Sequence, residues 1–149
     1  YVSLLFGRSR TTEDVDIFIK NLSLSDLKKL YVDLGKAGFW CINADEVENL
    51  FDYLSNNTAV RFAKKGTSIP NFEIKIAVKS IDVDSFNDTI LVKTKKGELI
   101  ISSLEKQIAF KRFYLRSDKD IEDAKFIEEV FKDKINKEKV NQYRRLLEQ

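Results

Sequence analysis

Hydrophobic residues recur at intervals of three and four in some stretches of the chain and alternate with polar residues in others. The apolar positions between Leu27 and Leu34 have the helical spacing. They follow Ser23 and Asp26, whose separation of three residues is that of a capping box. The pattern predicts an amphipathic helix that ends near Gly35, since glycine commonly closes a helix.

A second helical stretch runs from Val47 to Leu54, and Asn43 with Glu46 precedes it. Asparagine is a favoured N-cap residue, so we expect Asn43 to start this helix. The pair Asn56-Asn57 is expected to end it.

Three further helices are predicted in the C-terminal third of the chain. Each follows a residue suited to an N-cap, namely Ser103, Asp118 or Asn136. The first is expected to reach about Leu115 and the second about Lys132, while the third carries apolar positions at helical spacing to the end of the chain.

Alternating or β-branched residues predict strands between these helices. They lie at residues 14–19, 59–63, 72–77, 89–94 and 98–102, and the last two form a hairpin. The mixture predicts an α/β (α+β) fold, with a mixed sheet flanked by helices and a helical tail. We expect residues 1–102 to form the core and residues 103–149 a helical segment packed on it.

The strand at 14–19 places two acidic residues together. In an extended strand, residues i and i+2 share a face, so Asp14 and Asp16 point the same way, about 7 Å apart along the chain. Val15, Ile17 and Ile19 then face the core. Two neighbouring carboxylates raise each other's pKa unless a cation neutralises them, and a hard cation such as Mg²⁺ suits oxygen ligands. The pair therefore predicts a metal site.

A third carboxylate is predicted on the strand at 72–77. Phe72, Ile74 and Ile76 alternate with Glu73 and Lys75, so the two charged residues share the polar face. We expect Glu73 to lie beside Asp14 and Asp16.

Composition limits the chemistry further. With 43% hydrophobic residues, the 149-residue chain can bury a core as one domain, or as one domain with a helical appendage. The chain has no histidine, which excludes histidine triads and the common zinc sites, and its one cysteine, Cys41, excludes an internal disulfide. We expect Cys41 and its neighbour Trp40 to lie in the core.

The net charge of +2 identifies no partner by itself. No apolar run is long enough for a transmembrane helix, and no signal-peptide pattern occurs. We therefore expect a cytoplasmic protein without a membrane partner.

Residues 10–17 read RTTEDVDI, which resembles the Arg-x-Thr-x-Asp-hydrophobic-Asp strand entrance of the DNA polymerase beta-like nucleotidyltransferases. More narrowly, the chain resembles small prokaryotic members similar to abortive-infection (AbiEii-type) nucleotidyltransferase toxins. Glu73 stands where that superfamily places its third carboxylate, which is more often Asp. Lys111 and the run Lys119-Asp120-x-x-Asp123 resemble the downstream Lys and Lys-Asp-x-x-Asp elements of the toxins.

The resemblance implies a nucleotidyltransferase-type sheet and Mg²⁺-dependent transfer of an NMP from an NTP to a hydroxyl of RNA, especially tRNA, or of a protein. Asp14, Asp16 and Glu73 would be the catalytic and metal-binding residues, with two Mg²⁺ ions. Nucleotide and phosphate contacts would come from loop residues and two downstream residues, namely Arg8, Ser9, Arg10, Thr11, Thr12, Lys111 and Asp120. A toxin of this kind implies an antitoxin partner.

Two alternatives stay open. The superfamily's Gly-Gly or Gly-Ser pair would lie upstream of Tyr1, so the chain is expected to be either a fragment or an inactive remnant. As a remnant, it would be a non-catalytic binding module with a degenerate nucleotidyltransferase fold. The other alternative is a small-molecule nucleotidyltransferase of the antibiotic-modifying kind, for which a compact acidic acceptor cleft is expected.

Overall fold

The computed structural model describes residues 2–9, 11–78 and 80–148, and it has the expected α+β fold. The helices of the described residues are α1 (Val2–Leu5), α2 (Leu24–Lys36), α3 (Val47–Ser55), α4 (Ser80–Asp84), α5 (Leu104–Ala109), α6 (Asp118–Val130) and α7 (Lys137–Leu147). The strands are β1 (Asp14–Ile19), β2 (Phe39–Cys41), β3 (Val60–Lys64), β4 (Asn71–Ile76), β5 (Thr89–Thr94) and β6 (Gly97–Ser102). A π-helical segment, Phe110–Leu115, continues α5.

The chain forms two compact units. The first comprises Thr11–Asp82, and the second comprises Val2–Arg10 together with Val83–Gln149. The division falls at residues 82 and 83, whereas the sequence predicted a boundary after residue 102. The boundary lies earlier because the β5–β6 hairpin belongs to the second unit, where Ile90 and Ile101 pack on the same apolar cluster as the C-terminal helices.

The first unit contains a four-stranded mixed sheet in the order β1-β4-β3-β2. β1 and β4 are parallel, while β4, β3 and β2 are successively antiparallel. One face of the sheet is apolar and packs with α2 and α3. The apolar cluster formed by this face and the two helices has buried side chains that include those of Leu27, Leu50, Leu54, Val60, Phe62 and Ile74.

The helix ends of the first unit follow the sequence with one exception. Ser23 caps α2 and its side chain accepts a hydrogen bond from the Asp26 backbone N–H at 3.2 Å, as predicted. The N-cap of α3 is Glu46, so the assignment of Asn43 was wrong. Asn43 instead forms hydrogen bonds with the backbone at the start of β3. Its Nδ2 donates to the Ala59 carbonyl, and its Oδ1 accepts from the Arg61 N–H, both at 2.9 Å.

The second unit packs the β5–β6 hairpin with α1, α5, α6 and α7. Fully buried Ile108, Ala124 and Ile127 form the centre of its apolar cluster. Phe6 meets Phe131 edge to face, with ring centroids 4.7 Å apart. Ser103 and Asn136 cap α5 and α7 as predicted, and the N-cap of α6 is Ser117, one residue before the expected Asp118.

Two adjacent residues of β2 have different environments. Cys41 is buried, as expected. Trp40 is 41% exposed, so its assignment to the core was wrong. Neighbouring residues of a strand point to opposite faces, and only the Cys41 side shares the apolar cluster.

None of the described helices combines the length and apolar character needed to cross a bilayer.

Candidate functional site

The loop before β1 is fastened to the start of that strand and of its neighbour. The Thr12 hydroxyl donates to the Asp14 carbonyl at 2.9 Å. The Asn71 N–H donates to the Glu13 carbonyl, also at 2.9 Å, which joins the first residues of β4 to β1. The backbone that carries Asp14 is therefore held by both local and cross-strand hydrogen bonds.

The parallel register of β1 and β4 brings the acidic residues together. Asp14 is paired with Asn71, and Asp16 is paired with Glu73. Paired residues point to the same face of a sheet, so Asp14, Asp16 and Glu73 share the face opposite the apolar cluster. This confirms that the three lie on adjacent strands.

The two directly paired carboxylates have different exposure. The side chain of Asp16 is 62% exposed, whereas that of Glu73 is 10% exposed. Solvent therefore screens the charge of Asp16, while the charge of Glu73 must be compensated within the protein.

Arg61 and Lys75 provide this compensation. Arg61 is paired with Glu73 across the antiparallel β3–β4 ladder, and its Nε and Nη2 donate to Glu73 Oε2 at 2.9 and 2.6 Å. The Lys75 ammonium forms an ion pair with Glu73 Oε1 and lies 3.4 Å from Asp16 Oδ1. One cation thus bridges the carboxylates of two strands.

The pKa values reflect this arrangement. Burial opposes ionisation of Glu73, but hydrogen bonds from Lys75 and Arg61 outweigh it and hold the pKa of Glu73 below its usual value. Burial likewise opposes the charged form of Lys75, but Glu73 and Asp16 outweigh it and raise the pKa of Lys75. Glu73 and Lys75 are therefore both charged at neutral pH.

The donor atoms on this face fit a hard cation. The oxygens of Asp16 and Glu73 already share a positive charge, that of the Lys75 ammonium. Beside Asp14, the side-chain oxygen of Asn71 is buried without a hydrogen-bond partner among the described residues. Carboxylate and amide oxygens are the ligands that Mg²⁺ accepts. Among the described residues, however, no three His, Cys, Asp or Glu side chains are already gathered as a metal-binding group.

Other predicted site residues form a separate ion network within the second unit. Lys111 donates from Nζ to Asp123 Oδ2 at 2.8 Å and to Asp120 Oδ1 at 3.0 Å. Arg8 pairs with the other oxygen of Asp123 and donates to Glu122 Oε2 at 2.6 Å. Asp123 is completely buried and Lys111 is nearly so.

Asp120 accepts hydrogen bonds from Lys111 of this network and from Ser117. Burial raises the pKa of the Asp120 carboxyl, but hydrogen bonds from Ser117 and Lys111 outweigh it and lower the pKa overall. The cationic groups of Arg8 and Lys111, which were expected to contact phosphates, are thus paired with carboxylates of the same unit.

The remaining predicted phosphate contacts lie in the loop before β1. Ser9 and Thr11 are exposed, and Thr12 is half-buried. Arg10 lies outside the described residues. The predicted residues are therefore divided between the units: Asp14, Asp16, Glu73, Thr11 and Thr12 belong to the first, and Arg8, Ser9, Lys111 and Asp120 to the second.

Sequence reasoning missed the importance of Arg61, Lys75 and Asn71. The alternation of β4 had placed Lys75 on the face of Glu73, which was a usable signal. The pairing of Arg61 with Glu73 depends on the register of β3, which no local pattern indicates.

No protein-family model matches the sequence, and a comparison with curated proteins gave no significant match.

Proposed function

We propose that the chain is a Mg²⁺-dependent nucleotidyltransferase that moves an NMP from an NTP to a hydroxyl acceptor. The observation that carries the proposal is the parallel register that pairs Asp16 with Glu73 and sets Asp14 on the same face. Three carboxylates on two adjacent strands are the arrangement expected from the Asp-x-Asp motif and a third acidic residue.

Asp14, Asp16 and Glu73 are the residues that would hold the metal. Mg²⁺ held by them would neutralise triphosphate charge and stabilise the attacking and leaving oxygens, which is the main demand of this chemistry. The exposed Asp16 is accessible to substrate, whereas Glu73 is kept ionised by Arg61 and Lys75. The Thr11 hydroxyl, exposed in the loop before β1, is a donor for a phosphate oxygen.

The acceptor is proposed to be RNA, especially tRNA, or a protein, and the chain to be the toxin of a toxin–antitoxin pair in the cytoplasm. These points rest on the resemblance of residues 10–17 and of the Lys111 and Lys119-Asp120-x-x-Asp123 elements to the toxin nucleotidyltransferases. Phosphate binding by Arg8, Ser9, Arg10, Thr12, Lys111 and Asp120 also stays a prediction.

One observation favours a non-catalytic binding module as the second candidate. Both oxygens of Glu73 are already engaged by side-chain cations, Oε2 by Arg61 and Oε1 by Lys75. A carboxylate satisfied in this way also fits a structural role, in which it orders two cations on the sheet face.

A transfer assay distinguishes the two candidates. Purified protein is incubated with Mg²⁺ and each of four α-labelled NTPs, with total RNA or total protein as acceptor. We expect label in one acceptor class with wild type and with Asp33→Asn, an exposed acidic residue of α2 that serves as the control. Asp14→Asn and Asp16→Asn should abolish labelling.

The folded state of each variant is checked by circular dichroism, because only a folded variant tests the chemistry. Equal labelling by wild type and both aspartate variants would contradict the assignment of these residues. No labelling by wild type, together with no NTP binding in calorimetry, would favour the binding module.

A further inference from the structure

Lys75 occupies the position between the two directly paired carboxylates. It follows Glu73 by two residues on β4, so the two side chains share a face. Its ammonium pairs with Glu73 Oε1 and lies 3.4 Å from Asp16 Oδ1. A positive charge is therefore already present between carboxylate oxygens of the two strands.

We infer that Lys75 is a built-in counter-ion that a divalent cation must displace from Asp16 and Glu73. The inference rests on the proposed function in that it concerns the same carboxylates, but it is stated for metal binding and not for transfer. A metal ion and an ammonium group at the same carboxylates compete for them, because the two positive charges repel each other at close range.

Lys75 is better suited to leave than Arg61. Arg61 places two N–H groups on Glu73 Oε2, a fixed geometry that depends on its planar guanidinium. Lys75 contacts Oε1 and the neighbouring Asp16 with a point charge at the end of a flexible four-carbon stem. The Lys75 side chain is also 39% exposed, so its ammonium can move into solvent without being buried unpaired.

The charge balance favours the exchange. Asp14, Asp16, Glu73, Arg61 and Lys75 together carry three negative and two positive charges. Departure of the ammonium leaves the negative charge of Asp16 and of one oxygen of Glu73 uncompensated. A divalent cation can neutralise this charge. Arg61 continues to neutralise the other oxygen of Glu73 and to hold that side chain in place.

The test is direct binding of Mn²⁺ alone, measured by loss of the free-ion signal in electron paramagnetic resonance. Mn²⁺ is a suitable probe because it shares the oxygen-ligand preference of Mg²⁺. Lys75→Met removes the ammonium and keeps the apolar stem, and we expect it to bind Mn²⁺ about tenfold more tightly than wild type, as removal of a partly buried competing charge allows. Lys75→Gln should show the same gain.

Two controls separate this effect from a change in overall charge. Lys28→Met removes a lysine of the same unit that pairs with Glu48 at 2.8 Å, and it should leave Mn²⁺ affinity unchanged. Lys75→Arg retains the charge and should show no gain. Circular dichroism and thermal unfolding confirm that each variant is folded.

The inference is overturned if folded Lys75→Met and Lys75→Gln bind Mn²⁺ no more tightly than wild type, or if none of the proteins binds it. Tighter binding by both variants without any NMP transfer by wild type would support the inference while the proposed function failed. If Mn²⁺ binding is unchanged in both variants and wild type transfers an NMP, the inference fails while the proposed function is supported.

Discussion

The guanidinium of Arg8 pairs with the carboxylate of Asp123, 115 residues further along the chain. The other oxygen of Asp123 accepts from Lys111 Nζ at 2.8 Å, so one completely buried carboxylate holds two cations. This contact ties the segment after α1 to α6 within the second unit. A buried charge costs free energy unless it is paired, so each member of the group depends on the others.

Replacing Asp123 by Ala should therefore destabilise the second unit strongly. It leaves nearly buried Lys111 and partly buried Arg8 without this partner, and breaking a buried ion pair in this way costs about 3–5 kcal/mol. The matched control is Glu122→Ala, which removes a partner of Arg8 that is 65% exposed and should cost less than about 1 kcal/mol.

Hydrogen exchange of the α6 amides measures this effect where it occurs. The single tryptophan, Trp40, belongs to the first unit, so its fluorescence is not the right probe. Similar protection of α6 in the two variants would contradict the idea that the buried carboxylate holds the unit together.

Asn43 supports the backbone of Arg61, and its removal should destabilise the first unit. Its Oδ1 accepts from the Arg61 N–H and its Nδ2 donates to the Ala59 carbonyl, both at 2.9 Å. Asn43→Ala leaves both backbone groups without these bonds, so we expect a loss of about 1–3 kcal/mol in the free energy of unfolding.

Urea unfolding followed by Trp40 fluorescence reports on this unit. Asn56→Ala is the control, since Asn56 makes one exposed bond to the Asp52 carbonyl at the end of α3 and should lose less. Asn43→Asp keeps the acceptor for Arg61 but not the donor for Ala59, so its stability should lie between those of wild type and Asn43→Ala. A stability of Asn43→Ala equal to that of Asn56→Ala would show that the two strand contacts are unimportant.

Most helices, and the strand positions of Asp16 and Glu73, were predictable because their signals are local. Ser23, Ser103 and Asn136 precede apolar periodic stretches, and each caps a helix. The alternation at 14–19 and 72–77 correctly placed Asp16 and Glu73 on strands with their side chains on polar faces. Local hydrogen bonding and side-chain periodicity suffice for such predictions.

The missed features depend on tertiary register or on very short elements. β2 has three residues, too few to show a period of two, so both the strand and the exposure of Trp40 escaped prediction. Asn43 suits a helix cap as well as a strand contact, and only the fold selects between them. The ion pairs of Arg61 and Arg8 join residues that no sequence spacing relates.

Asp88 should make the second unit sensitive to acid. Its carboxylate accepts from Lys139 at 2.6 Å, from Tyr143 at 2.5 Å and from Ser103. Burial alone would raise the pKa of Asp88, but the bonds from these three residues lower it below its usual 3.8. Burial beside Asp88 also raises the pKa of Tyr143, so its hydroxyl stays a donor at neutral pH.

Lowering the pH should remove the stabilisation that ionised Asp88 gives to the fold. A carboxyl whose pKa is lower in the folded state stabilises the fold above its unfolded pKa, and this contribution is lost as the pH falls through the folded pKa. We expect the stability of wild type to decline below about pH 4. Asp88→Asn should be less stable at pH 7 and show a shallower decline in urea titrations followed by circular dichroism. Parallel pH profiles for the two proteins would exclude Asp88 as a source of acid sensitivity.

Removing either cation beside Glu73 should raise the pKa of that carboxyl. The Lys75 hydrogen bond and then the Arg61 hydrogen bonds are the main effects that hold the pKa below its usual 4.5 against the opposing effect of burial. Arg61→Ala and Lys75→Met should each shift the pKa upward, with the larger shift from Lys75→Met. Carbon-detected NMR titration of the Glu73 carboxyl measures both shifts directly.

The Glu73 titration also tests how much of the charge compensation comes from Arg61 and how much from Lys75. Because the lowered pKa of Glu73 stabilises the fold above about pH 4.5, each variant should lose part of that stabilisation at pH 7 and little of it at pH 3. Lys28→Ala, which removes the exposed partner of Glu48, should leave the Glu73 titration unchanged. An unshifted Glu73 titration in Lys75→Met would mean that Arg61 alone compensates the carboxylate. Lys75 would then not be a counter-ion that a metal ion must displace from Glu73.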